Sequence, residues 1–378
     1  MLNKQNSNKL FVITVVIFLI IVPLFNYFTD PYNVFGRNNT CFTIEDHDRD
    51  WIYPYLKNNA DKEYDWVLIG DSNSELCYSE DDFKDLTGKT LTKVTLLGIT
   101  PKEQLELLKA YHRIHPEHKN YIIILNVLSF CTYPISRLPE FENPEKIQMR
   151  EYFKILFTFQ AFSDSLNVFY NSTLNEIQVK FVEMRKNNKF ENIPFLHNYY
   201  IKFDERIIFK TLRIPLKDDF VCYKQNIDCL KEISQYCKEN NLNTIYMTNA
   251  LHSLTLVNFY KSGKWDVFCD FKKQLAESTP FYYDFNYVNE NNDSPISLDE
   301  PNWQDAVHPS TIYGKKILEK VTLQNVQGAK VSKDNVDEVL RQETKLLQDY
   351  INDNKKMVDE YMNRPAGELK PTVKVGKW

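Results

Sequence analysis

Short apolar runs alternate with longer amphipathic stretches through the middle of the chain. The apolar runs end in turn residues and have the length of buried strands, whereas the amphipathic stretches repeat with the period of an α-helix. We predict strands at residues 66–70, 90–97, 121–126, 244–248 and 281–285, and helices at 102–115, 225–239, 258–278 and 310–323. Strands that alternate with helices predict an α/β domain with a mostly parallel sheet, which we assign to residues 65–325.

Residues 133–219 interrupt this alternation. They contain a helical stretch with Phe153, Ile155, Leu156 and Phe159, followed by an aromatic and charged region. We interpret them as an insertion between the third and fourth strands. Such an insertion leaves the sheet at the carboxyl ends of the strands, where open α/β sheets bind ligands. We therefore expect it to cover one end of the sheet and to supply part of a substrate site.

The C-terminal part of the chain has a different pattern. Residues 330–362 lack glycine and proline and repeat apolar positions at spacings near three, four and seven. This pattern predicts a long amphipathic helix, followed by a tail at 363–378. Glu343 and Asn354 interrupt the apolar stripe, which argues against a sustained coiled coil. The helix is expected either to pack back on the domain or to dock on a partner protein.

Residues 10–28 carry no charge, and nineteen helical residues span roughly 30 Å, the thickness of a bilayer core. We predict a cytoplasmic tip and transmembrane anchor at 1–29, with a membrane-proximal connector at 30–64. Lys4 and Lys9 precede the apolar run without any acid, which favours a cytoplasmic N-terminus. A cleaved signal peptide is the alternative, but Pro23 and bulky aromatic residues stand where small residues are usual. The expected location is a bacterial inner or cytoplasmic membrane, with the C-terminal domain outside the cytoplasm.

Composition narrows the function further. The 46 Lys+Arg and 51 Asp+Glu residues give a net charge of −5, which argues against a nucleic-acid partner. No cysteine or histidine spacing resembles a zinc site, and no nucleotide-binding fingerprint is present, so we expect neither metal nor cofactor. Seven cysteines in an exported protein permit disulfides, with Cys222 and Cys229 as the nearest plausible pair. The 14% aromatic content fits either compositional drift or a sugar-stacking surface.

Two short motifs carry the candidate chemistry. Gly70-Asp71-Ser72 ends the first predicted strand, so that the Ser72 hydroxyl would stand at the sheet edge where a helix begins. Asp305 lies three residues before His308, just ahead of the last helix of the domain. A hydroxyl nucleophile needs a base, and the base needs a group that fixes its tautomer. Each motif alone is also ordinary turn and cap chemistry.

In this order, the two motifs resemble the first and last signature blocks of the SGNH/GDSL hydrolase superfamily. The resemblance covers roughly residues 65–321 and implies a flavodoxin-like three-layer α/β/α sandwich. It also implies that Ser72 is the nucleophile, that His308 is its general base, and that Asp305 orients the histidine.

The two middle blocks of that superfamily supply the oxyanion hole, together with the backbone N–H of Ser72. Gly98, in Leu-Leu-Gly-Ile after the second strand, is similar to the glycine of the second block. The third block normally has Gly-x-Asn-Asp, and this chain has Ile-Leu-Asn-Val around Asn126. Because the glycine and aspartate are missing, Asn126 is either an oxyanion donor or a turn cap.

These features favour a membrane-anchored, extracytoplasmic serine acyltransferase or esterase. Its expected substrate is the O-acyl groups, O-acetyl above all, of a cell-envelope polysaccharide. The single membrane helix followed by Asp30-Pro31-Tyr32 is either a plain turn or the layout of SGNH-like proteins that work beside membrane-bound O-acyltransferases. An inactive binding or assembly partner of such an acyltransferase is therefore the alternative. If the motifs are coincidental, Ser72 and His308 should lie far apart.

Overall fold

The chain was analysed in a computed structural model. It describes residues 4–32, 34–35, 52–53, 56, 64–96, 98–132, 136, 138, 149–166, 168–169, 216, 220–294, 302–303, 307–322 and 330–363. Two compact units divide the chain. The anchor unit comprises Met1–Glu63, Lys109–Pro116 and Arg137–Ile193, and the sheet unit comprises Tyr64–Leu108, Glu117–Ser136 and Pro194–Trp378.

The sheet unit contains a six-stranded sheet in the order β2-β1-β3-β4-β5-β6. Its strands are β1 (Trp66–Gly70), β2 (Leu91–Thr95), β3 (Asn120–Leu125), β4 (Asn243–Thr248), β5 (Tyr282–Tyr283) and β6 (Lys330–Val331). The first five strands pair in parallel, and β6 pairs antiparallel with β5. This confirms the predicted α/β class. The central strands β1 and β3 are nearly continuous buried apolar runs because helices cover both faces of a parallel sheet.

Thirteen helices are named in the described part of the chain, and most of them connect or follow the strands. They are α1 (Lys4–Thr29), α2 (Ser72–Cys77), α3 (Glu80–Thr87), α4 (Pro101–Ile114), α5 (Val127–Thr132), α6 (Met149–Phe157), α7 (159–166), α8 (Lys224–Glu239), α9 (Ser253–Lys261), α10 (Trp265–Ser278), α11 (Thr311–Thr322), α12 (Val336–Asp353) and α13 (Lys355–Met362). The predicted helix at 258–278 is two helices, α9 and α10. Gly263 separates them at a φ of 67°, a left-handed conformation that glycine adopts without strain.

The prediction of one long C-terminal helix at 330–362 is also wrong in detail. Its first two residues form β6, and Asn354 separates α12 from α13. Both helices pack back on the domain, α12 against α10 and α13 against α9. The apolar stripe thus has a partner within the chain. Of the predicted tail, only Asn363 lies among the described residues.

Glu343 interrupts the stripe because it belongs to a buried ion cluster. The ammonium group of Lys272, on α10, lies 2.5 Å from a Glu343 carboxylate oxygen and 2.7 Å from an Asp284 carboxylate oxygen. It also donates to the carbonyl of Asn286 at 2.8 Å. Burial alone would lower the pKa of Lys272, but the two carboxylates raise it above its usual value. The cluster therefore joins α12 to the domain through a hydrogen bond from Lys272 as well as through apolar contact.

We expect this cluster to make stability depend on pH. Burial raises the pKa of Glu343 to about 8, from an ordinary value of 4.5. The folded chain therefore holds a proton between these values that the unfolded chain has lost, and stability falls as the pH rises through this range. The slope from one proton is at most about 1.4 kcal/mol per pH unit. Denaturant unfolding of the detergent-solubilised protein at pH 5 to 9 measures it. The Glu343→Gln variant should lack this slope, and an equal slope in both proteins would contradict the assignment.

In the anchor unit, the residues that follow α1 form a hydrogen-bonded junction. The Asp30 carboxylate accepts the backbone N–H groups of Val34 and Phe35 at 2.8 and 2.9 Å. The Tyr32 hydroxyl donates to a carboxylate oxygen of Asp164, within α7, at 2.6 Å. The described part of the insertion thus packs on the end of α1. The coverage of the sheet by the rest of residues 133–219 stays a prediction.

A disulfide joins Cys131, in the last turn of α5, to Cys222, just before α8. The predicted pair of Cys222 with Cys229 is wrong, because Cys229 lies on the buried face of α8. The chain beside Cys222 instead runs along α5, where the carbonyl of Phe130 accepts the Tyr223 N–H at 3.3 Å and the Asn226 side chain at 2.8 Å. The disulfide therefore connects the two ends of the insertion.

Candidate active site

The carboxyl ends of four parallel strands meet at one edge of the sheet. Gly70 pairs with Thr95 and Leu125 pairs with Thr248, so the strands of each pair end at the same level. The chain passes from β1 to β2 on one side and continues through β3 and β4 on the other. This makes the boundary between β1 and β3 a topological switch point, where open α/β sheets bind ligands. The residues that directly follow the four strands are Asp71, Leu96, Asn126 and Asn249.

Ser72 is the first residue of α2 and is half-buried at this edge. Asp71 forms the N-cap of the helix, with its side chain accepting the Ser74 N–H while the Ser74 hydroxyl accepts the Asp71 N–H. Such a reciprocal cap fixes the angle at which the chain leaves the strand. Gly70 is required just before it, because a Cβ atom there would lie 2.2 Å from the Ser74 hydroxyl oxygen. The sharp turn thereby holds Ser72 in place.

His308 approaches Ser72 from a loop 236 residues further along the chain. The Ser72 hydroxyl oxygen lies 3.2 Å from Nε2 of His308. A bridge between Trp303 and Pro309 holds the loop, and Trp303 is buried with its indole N–H donating to the carbonyl of Asn291 at 2.8 Å. The two side chains are therefore within hydrogen-bond distance of each other.

The helix after His308 packs closely on α2. A Cβ atom at Gly314, in α11, would lie 1.7 Å from the carbonyl oxygen of Cys77, so that only glycine permits this approach. The contact ties the loop that carries His308 to the helix that begins with Ser72. The pairing of the two side chains therefore follows from backbone packing as well as from their own hydrogen bond.

Asp71 is the centre of a buried polar network beneath Ser72. One of its carboxylate oxygens accepts the side-chain amide of Asn126, and the other accepts the amide of Asn249 at 3.0 Å. The carbonyl oxygen of Asn249 in turn accepts the Tyr78 hydroxyl at 3.0 Å. Asn126 also caps its own helix, because its side-chain oxygen accepts the Leu128 N–H at 3.0 Å. The network fixes both asparagines relative to α2, the helix that begins with Ser72.

The predicted site residues thus have three outcomes. Ser72 and His308 come together, and Asn126 lies at the same edge as both a cap and a partner of Asp71. Gly98 lies in the loop after β2 with a φ of 55°, a left-handed conformation, and this loop meets β1 through a 3.1 Å hydrogen bond from Leu96 N–H to the Gly70 carbonyl. Asp305 lies outside the described residues, so its predicted role stays a prediction.

Asn249 and Tyr78 belong to the network and were not predicted. Asn249 follows β4 as Asn126 follows β3, so a polar residue directly after a buried strand was the available signal. Tyr78 carried no such signal in the sequence, because an aromatic residue near a helix end is most often an ordinary core residue.

We compared the sequence with models of protein families and with curated proteins, and neither comparison finds a match. The functional argument therefore depends on the geometry of the site.

The two asparagines on Asp71 provide a matched pair of variants. A side-chain amide has two N–H donors, so the bond from Asn126 to Asp71 leaves it one more to offer. We expect Asn126→Ala to lower kcat for a simple acetyl ester about 100-fold, the usual loss for one oxyanion donor. Asn249→Ala removes a bond to the same carboxylate and should lower kcat less than about tenfold, with a similar stability loss of about 1–3 kcal/mol. Equal kcat values in the two variants would show that Asn126 has only a structural role.

Proposed function

We propose that this chain is a membrane-anchored, extracytoplasmic serine esterase or O-acyltransferase of the SGNH/GDSL type. Its proposed substrate is an O-acylated, principally O-acetylated, polysaccharide of the bacterial cell envelope. The 3.2 Å distance between the Ser72 hydroxyl and Nε2 of His308 is the observation that carries the proposal. A hydroxyl within reach of an imidazole at the carboxyl edge of a parallel sheet is the arrangement that nucleophilic catalysis needs.

In the proposed reaction, the Ser72 oxygen attacks the carbonyl carbon of an acyl ester while its proton moves to Nε2 of His308. The imidazolium then returns that proton to the leaving hydroxyl, and the acyl group stays on Ser72. Water or a glycan hydroxyl attacks next, again losing its proton to His308, and the Ser72 oxygen leaves and regains a proton. Water gives hydrolysis and a glycan hydroxyl gives transfer. The N–H groups of Ser72 and Gly98, with the Asn126 amide, are proposed to hold the negative oxygen of each tetrahedral intermediate.

The strand order supports the finer fold assignment. The order β2-β1-β3-β4-β5 is that of flavodoxin-like sheets, in which ligands bind at the boundary of β1 and β3. Ser72 follows β1 and Asn126 follows β3, so both proposed groups belong to this boundary.

Three features support an extracytoplasmic, membrane-anchored enzyme. Among the described residues, one helical segment, Phe11–Thr29, is long and apolar enough to cross a membrane. The Cys131–Cys222 disulfide in the sheet unit favours an oxidising compartment, because cytoplasmic thiols are kept reduced. Positive residues before the helix favour an N-terminus on the cytoplasmic side.

One observation favours the alternative of an inactive partner of a membrane-bound O-acyltransferase. Asn126, the only match to the third block, donates to Asp71 and caps its own helix. The C-terminal helices no longer support this alternative, because their apolar face packs within the chain.

Labelling with a fluorophosphonate probe tests the proposal. The full chain, solubilised in detergent, should form an adduct that mass spectrometry maps to Ser72, because such probes react with activated serine hydroxyls. Ser72→Ala should abolish labelling. Ser79→Ala is the matched control, because Ser79 also begins a helix, as the N-cap of α3, but lies outside the site. Absence of labelling in a folded protein would favour the binding role.

A further inference from the structure

Large apolar side chains surround the outer end of α1 in the anchor unit. Leu24 and Phe28 of α1 are exposed, and so are Phe153 of α6, Phe159 and Leu166 of α7, and Phe169. Phe159 and Phe169 are exposed by 75% and 62%. We call these six residues the apolar collar. Large exposed apolar patches on a folded unit mark sites of interaction with proteins or membranes.

The collar is continuous with the helix that we propose to span the membrane. The ring of Phe25 contacts the ring of Phe162 at 5.8 Å and the ring of Phe169 at 6.4 Å between centroids. Phe25 is four residues before the end of α1, which is about one helical turn or about 6 Å. The insertion helices are thus held at the level where α1 leaves the hydrocarbon, and the collar extends the apolar surface of α1 sideways at that level.

Three polar side chains in this part of the anchor unit are buried, namely those of Asn26, Asp164 and Ser165. Asn26, in the last turns of α1, is fully buried, with its amide donating to the Leu156 carbonyl at 2.9 Å and its side-chain oxygen accepting the Ser165 hydroxyl at 3.0 Å. Asp164 is buried and accepts from Tyr32 and Gln160. These buried polar groups satisfy one another within the unit, as contact with lipid requires of polar groups at membrane depth.

The lengths of the helices distinguish lying on a membrane from spanning it. α6 has nine residues, and nine residues of helix reach only about 14 Å, half a bilayer core. Lys154 and Gln160 are exposed in the same helices, and lysine is favoured at the level of lipid headgroups.

We propose that α6 and α7 lie in the interfacial layer of the bilayer leaflet in which α1 ends, with the collar against the acyl chains. The proposed occupant of the collar is therefore phospholipid. This inference rests on the proposal that α1 spans the membrane. It gives the anchor unit a second membrane contact, which limits the tilt of the helix and fixes the depth of the junction at Asp30 and Tyr32.

Photo-crosslinking tests the inference in the full chain. p-Benzoylphenylalanine is placed at Phe159 or Phe169, and the protein is reconstituted in vesicles of phosphatidylcholine and phosphatidylglycerol. Phe18, within α1, is the reference position, and Leu346, an exposed residue of α12, is the control. After irradiation, mass spectrometry should find lipid adducts at Phe159 and Phe169 within about threefold of the yield at Phe18 and at least about tenfold above that at Leu346.

The other outcomes overturn the inference in distinguishable ways. If lipid adducts form at Phe18, but the yields at Phe159 and Phe169 are no higher than at Leu346, the membrane anchor stands and the interfacial collar is refuted. A lack of adducts at Phe18 as well would refute the membrane anchor on which the inference rests. In native membranes, adducts of Phe159 to protein in place of lipid would assign the collar to a protein partner. The substituted side chains are exposed, so the fold should persist, and circular dichroism checks it.

Discussion

The Ser72→Ala variant is expected to lose at least about 10⁴-fold in kcat for release or transfer of acetyl groups from the native O-acetylated glycan. The reason is that alanine removes the oxygen that we propose forms the acyl-enzyme, while the fold of the turn stays intact. Asp71 and Ser74 hold that turn through their own hydrogen bonds, and neither uses the Ser72 hydroxyl. Product analysis by mass spectrometry measures both hydrolysis and transfer, so the same assay reports which acceptor the site uses.

The partner variant and the control sharpen this prediction. His308→Ala should cost a similar factor, and the double variant should lose little more, because a nucleophile and its base act as one unit. Ser79→Ala should retain activity while losing about 1 kcal/mol of stability from its helix cap. Full activity in Ser72→Ala would exclude Ser72 as the nucleophile. Losses that simply multiply in the double variant would show that Ser72 and His308 work separately.

Much of the sheet was predictable because buried parallel strands are continuous apolar runs that end in recognisable turns. Predicted strands 66–70 and 244–248 agree with β1 and β4 to within one residue at each end. β6 was not predictable, since two residues carry no periodicity and the strand is defined only by its pairing with β5. The break at Gly263 was also missed, because a single glycine is tolerated inside a helical pattern until its left-handed φ is known.

The candidate site, like the sheet, was predictable only in part. Ser72 and His308 were predictable because they lie in short motifs at strand and helix boundaries. The network on Asp71 was not, because it depends on which strand ends become neighbours across the sheet. The Cys131–Cys222 disulfide joins residues 91 positions apart, a pairing that spacing cannot indicate. Glu343 appeared as a defect in an apolar stripe, and its role required Lys272, 71 residues earlier on another helix.

The pairing of Lys272 with Glu343 leads to the second prediction with a large expected effect. Lys272→Met is expected to destabilise the sheet unit by about 3–5 kcal/mol, because it leaves the buried Asp284 carboxylate without its cation and Glu343 without its hydrogen-bond partner. Methionine has a volume similar to that of lysine, so the loss of stability measures the missing charge and not a change in packing. Asp284 transmits the effect to the sheet, since its other oxygen accepts the Thr248 hydroxyl at the end of β4 at 2.9 Å. Denaturant unfolding of the detergent-solubilised full chain measures the change.

The neighbouring lysine supplies the control. Lys273 pairs with Asp337 at 2.9 Å, but both side chains are exposed, and Lys273→Met should change stability by less than about 1 kcal/mol. If Lys272→Met alone does not fold, the triple variant Lys272→Met with Asp284→Asn and Glu343→Leu should recover much of the loss, because it leaves no buried charge without a partner. Recovery would show that α12 needs a neutral, filled interface with α10 rather than the ions themselves. Equal stability losses at Lys272 and Lys273 would contradict the cluster as a buried structural element.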